Sequence, residues 1–156
     1  MQNRTGSGAP AAVAREERWI RACMDPAPKK LLTEKEEADS EVRCVVAQRV
    51  PRAKRRLLTA GQEPSAWVRR FLARTCPLEK LRLLSAQEEP DAGIRRSITL
   101  RVGVVESLLT VEEEPNEGNR ALLALRLHPC AAGEIARTGD TSPVVREILV
   151  LRGLLL

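Results

Sequence analysis

The sequence predicts an α+β fold, predominantly helical: a helical N-terminal half followed by a short β-ribbon and two helices. Three observations predict it. Helix start and stop signals recur between residues 33 and 90, with prolines at 51, 64 and 77 marking ends and restarts. Residues 97–102 alternate, placing Ile98, Leu100 and Val102 on one face and Ser97, Thr99 and Arg101 on the other. Two apolar-rich runs, 120–127 and 143–156, follow with more material for a core.

Residues 1–32 read as a disordered or weakly helical tail and linker, since 1–10 are rich in Gly, Ser and Asn and 25–30 hold two prolines. Between them, 11–24 can form a short helix carrying Trp19 and Ile20. Its arginines give it the look of a mitochondrial presequence, against which Glu16 and Glu17 argue. Residues 33–90 form the helical segment. Thr33 and Glu36 have capping-box spacing, Glu34, Glu36 and Glu37 suit a first turn, and Pro51 ends the run. A second amphipathic helix over 66–75 places Trp67, Val68, Phe71 and Leu72 together, with Trp67 and Phe71 as core anchors. A third covers 78–87. Residues 94–156 make the small α+β domain, for which an antiparallel meander of 97–102, 104–112 and 120–127 is the alternative.

Composition bounds the function. Net charge is +5 with 26 basic residues, mostly Arg, which favours polyanionic partners because guanidinium matches phosphate in a fork. A GC-rich or poorly selected reading frame gives the same composition without an evolved site. Aromatic residues are only 2%, so the core is built from Leu, Val, Ile and Ala. Arg49, Arg52, Lys54, Arg55 and Arg56 form the densest basic patch, either a phosphate-binding or import signal or a solvated helix end. Leu78, Leu81 and Leu83 hold three apolar positions similar to leucine-rich nuclear-export signals, and also fit an ordinary buried helix face.

Residues 95–127 resemble a ribbon-helix-helix DNA-binding domain. Arg95, Ser97 and Thr99 match the outward strand positions of that family, and Ile98, Leu100 and Val102 the inward ones. Residues 104–114 and 119–127 match its two helices, with Asn116 or Asn119 capping the second near a phosphate. The resemblance implies a homodimer whose paired strands enter the major groove of duplex DNA. Arg95, Ser97, Thr99, Arg101 and Asn119 are then the candidate nucleic-acid contacts.

The sequence is expected not to encode an enzyme. His128, the single histidine, lies before a proline at an element end, a poor place for a Ser-His-Asp or Cys-His site. Cys23, Cys44, Cys76 and Cys130 form no C-x-x-C pair, so neither a zinc site nor a disulfide framework is expected. No phosphate-binding glycine loop is present and no cofactor is expected. Without a signal peptide or a long apolar run, the chain reads as intracellular, in cytoplasm or nucleus, and not membrane-bound. The runner-up function is a non-catalytic adaptor or shuttling protein that meets protein partners through its apolar C-terminal segment.

Overall fold

A 26-residue structural period runs through the chain. Among the described residues the helices are α1 (Ala9–Met24), α2 (Ser40–Arg49), α3 (Ala66–Thr75), α4 (Ala92–Arg101), α5 (Glu117–Arg126) and α6 (Pro143–Leu151). The N-caps of α2 to α6 are Asp39, Ser65, Asp91, Asn116 and Ser142, spaced 26, 26, 25 and 26 residues apart. The computed structural model describes residues 9–131 and 139–155, with side chains described from residue 14. The sequence expectation for 1–8, and most of the loop expected over 131–142, lie outside them.

Each unit is built the same way. The cap side chain of Asp39, Asp91, Asn116 or Ser142 accepts from N–H groups of the first turn. Nine or ten residues of helix follow, and in α2 and α3 Pro51 and Pro77 close them before 3₁₀ turns at Arg52–Lys54 and Leu78–Lys80. A polar turn then leads to the next cap. Within it the N–H of Thr33, Thr59, Ser85 or Thr110 donates to the side chain of Glu36, Gln62, Glu88 or Glu113. Neighbouring turns are joined through the backbone, Ala60 to Glu88 and Ala86 to Glu113.

Consecutive helices pack on each other, and α2 to α6, nine or ten residues each, are too short to be stable alone. What makes them persist is burial of the third and seventh helical residues between neighbours: Val42 and Val46, Val68 and Leu72, Ile94 and Ile98, Val145 and Leu149. The core is therefore a row of small clusters, as in repeat proteins whose units touch only their neighbours.

The expected α+β class is overturned. Among the described residues there is no strand, only an isolated bridge between Val105 and Leu127. The expected ribbon and the meander alternative are both absent. Residues 97–102 fall mostly within α4, where Asp91 caps the helix and Ile94 and Ile98, four apart, form the buried stripe. Burial of that stripe outweighs the strand preference of Ile98 and Thr99. Three smaller expectations change. Thr33 and Glu36 do bond, but in a turn, with α2 starting at Ser40. Residues 78–87 form a 3₁₀ turn and irregular chain. Trp67 is 65% exposed, so Val68 and Leu72 anchor α3 while Phe71 lies half-buried beneath the Arg55 guanidinium, 5.1 Å from its centroid.

Candidate functional site: an arginine spine and a lysine-lined hollow

Two ladders of arginines run through the stack. The fourth residue of α2, α3, α4 and α5 is Arg43, Arg69, Arg95 and Arg120, each at most 7% exposed. Each bonds the acid that precedes the next helix, and three do so as a fork: Arg43 on Glu63 at 2.7 and 2.8 Å, Arg69 on Glu89 at 2.6 and 3.1 Å, Arg95 on Glu114 at 2.7 Å twice. Arg120 reaches Asp140 at 2.7 Å, and Arg18 of α1 reaches Glu37 at 2.9 Å. The remaining guanidinium nitrogen donates to two carbonyls ahead of its own helix, as Arg95 does to Glu89 and Pro90. The acid in turn accepts the N–H of the next cap, as Glu63 does from Ser65 and Glu114 from Asn116. One fork thus ties the starts of two successive helices.

These groups are electrostatically committed. The bond to Glu63 holds the Arg43 guanidinium above its ordinary value, and Glu114 does the same for Arg95. Burial pushes the Glu114 carboxyl up, but bonds from Arg95, the Asn116 N–H and Asn119 outweigh it and leave the carboxyl below its usual range.

The second ladder caps helix ends. Arg49 donates to the Asp25 carbonyl at 2.6 Å, Arg101 to Ala73 and Cys76 at 2.5 and 2.6 Å, Arg126 to Val102 at 2.8 Å and Arg152 to Ala124 at 2.5 Å. Each arginine ends one helix and covers the free carbonyls of the helix before it. In α3 this position is Thr75, which bonds Phe71 of its own helix. Arg55 fills the gap, donating to the Val50 and Gln48 carbonyls at the end of α2.

The candidate DNA contacts are thereby placed. Arg95 is a buried rung, Thr99 is buried with its hydroxyl on the Arg95 carbonyl, and Arg101 caps α3. Asn119 is 1% exposed and donates to Ala92 and Glu114. Ser97 is half-buried and donates to the Gly93 carbonyl. These side chains do not share one solvent-facing strand surface, because the strand does not exist. Of the export candidates, Leu78 is exposed on a 3₁₀ turn, while Leu81 and Leu83 are half-buried in the irregular chain after it; they do not line one helical face.

The basic patch divides. Arg49 and Arg55 are engaged on carbonyls, and Arg52 is exposed on its 3₁₀ turn. Lys54 and Arg56 open instead into a hollow of about 670 Å³ between the loops of the first three units, which they line with Lys29, Lys30, Lys35 and Lys80. Among the described residues Glu36 is the single acid on its wall, and it is paired with Lys30. Lys30 and the bonds from Thr33 bring that carboxyl down to about 2. Lys80 is held on the Ala53 carbonyl. Lys29, Lys35, Lys54 and Arg56 are exposed and make no ion pair among the described residues.

Sequence reasoning missed Lys29, Lys30, Lys35 and Lys80 as site residues, and it missed the repeat. The signal for the repeat was present: Leu57-Leu-Thr with Glu63-Pro-Ser, Leu83-Leu-Ser with Glu89-Pro-Asp, Leu108-Leu-Thr with Glu114-Pro-Asn. Aligning those three segments puts Lys54 and Lys80 at the same position of successive units.

Of the remaining chemistry, His128 is exposed and its Nδ1 accepts the Cys130 N–H at 3.1 Å. Among the described residues no three His, Cys, Asp or Glu side chains are grouped to hold a metal. Among them, too, no helix is long and apolar enough to cross a membrane. No protein-family model, curated protein or solved structure matches the chain.

Proposed function

We propose that the chain is a non-catalytic binding module that engages the phosphate backbone of a nucleic acid in its lysine-lined hollow. The observation that carries this reading is the set of four uncompensated cations, Lys29, Lys35, Lys54 and Arg56, around one hollow. Like charges gathered around one acid that is already paired destabilise the free protein slightly, and an anion spanning them relieves that repulsion. Phosphates suit the spread of these cations, because lysine binds them as a point charge and needs no fixed fork geometry.

No aromatic side chain lines the hollow, so base stacking has no platform and recognition rests on the backbone. The module therefore binds with little sequence preference. Fluorescence anisotropy with duplex and single-stranded probes at several salt concentrations tests this. Engagement of four phosphates gives a slope of log affinity against log salt of roughly −3 to −4. Absence of binding to either probe at low salt removes the reading.

A further inference from the structure

Helix α6 keeps the arginine of the repeat, but among the described residues no acid meets it. Arg146 stands at the position of Arg43, Arg69, Arg95 and Arg120, four residues after the Ser142 cap. Those four are buried, whereas Arg146 is exposed and has no ion pair among the described residues. Val150 stands at the position of Ala47, Ala73, Thr99 and Ala124, which the next unit covers to 3% exposure or less, and it is 51% exposed. Val145 and Leu149, which face the preceding unit, are each 1% exposed, so α6 is fully seated on that side.

We propose that this face of α6 docks a partner's helix that carries a carboxylate residue two positions before its N-cap. The four interfaces between α2 and α6 define that chemistry. In each, the acid (Glu63, Glu89, Glu114 or Asp140) lies two residues ahead of the cap and meets the arginine of the unit beneath. The α4–α5 interface is the nearest template, because Thr99 there has the shape of Val150 and accommodates α5 without a gap. The other templates have Ala at this position and would crowd Val150. A second copy stacked head to tail does not fit, since it would present α1 and residues 1–15 contain no Asp or Glu. Two copies meeting through this face would oppose their Arg146 side chains. A separate acidic helix is the occupant that satisfies both the charge and the apolar surface.

The test uses the intact chain, isotope-labelled, titrated with a synthetic peptide of residues 108–127, which contains Glu114, the Asn116 cap and α5. Saturable amide shifts confined to 143–155 are expected, with a dissociation constant below about 1 mM because the short helix must order on binding. The Glu114→Gln peptide should bind at least about tenfold more weakly, as should the wild-type peptide to Arg146→Ala, since each loses a charge-assisted fork. Arg146 is exposed, so that variant folds. No shifts at about 2 mM peptide, or equal binding of the Gln peptide, overturn the proposal. Sedimentation showing a dimer that shields the α6 amides overturns it in favour of self-association.

Discussion

Loops in equivalent positions along the stack turn different residues outward. In the first three units they present Lys29, Lys30, Lys35, Lys54 and Lys80; at the fourth they present Glu106, Glu112 and Glu113, with Glu112 in the place of Lys35. Their frames nevertheless match, turn for turn and rung for rung. Thr33 and Thr110 make the same bond to the residue three positions on, and Arg43 and Arg95 make the same fork. The buried arginines and acids thus specify the shape, and the exposed residues of each loop are free to specify what it meets.

If that division holds, the largest effect comes from breaking a rung. Arg95→Ala leaves Glu114 buried without its partner and should cost about 3–5 kcal/mol, read by urea unfolding. In the hollow, Lys35→Glu with Lys54→Glu leaves four cations facing three acids on the wall. Nucleic-acid affinity should fall at least about tenfold at low salt, as two phosphate contacts are lost, with the melting temperature nearly unchanged.

A smaller effect sharpens the second ladder. Arg55→Ala frees the Val50 and Gln48 carbonyls and should cost about 1–3 kcal/mol. Thr75→Arg restores the ladder's usual donor, and the double variant should recover part of that loss in a double-mutant cycle. Acid provides a further probe. The Glu114 carboxyl has a folded-state value below its unfolded value of about 4.3, so its contribution is complete above that pH. It is lost as pH falls through the depressed folded value, and Asp91 and Glu88, also lowered, act in the same direction. Melting temperature should therefore hold from about pH 7 to 5 and drop below about 4, with Glu114→Gln flattening the drop.

The thiols give the smallest prediction. Cys44 and Cys76 are buried, and burial pushes both thiols up, so exposed Cys130 should react with a disulfide reagent at neutral pH well before either of them.

Part of this architecture was legible from sequence. The helices around 40–49 and 66–75 follow from their apolar spacing, and the basic cluster at 49–56 pointed to one wall of the hollow. The rest was hidden for physical reasons. In α4 a six-residue window fits both periods, because Ile98, Leu100 and Val102 alternate while Ile94 and Ile98 are one helical turn apart. Only the longer window, with the Asp91 cap and the 26-residue recurrence, separates them. Arg95 looked available for phosphate because its acid, Glu114, is 19 residues away in sequence. Lys35, Lys54 and Lys80 likewise lie in the loops of separate units, and the stacking of units brings them together.

The most direct test of the account neutralises the hollow and leaves the frame alone. A variant with Lys29, Lys35, Lys54 and Arg56 all changed to Gln is compared with the parent chain by thermal melting and by anisotropy across salt. The account predicts an unchanged melting temperature and loss of the steep salt-dependent binding. Binding that persists with the parent's salt slope would contradict it.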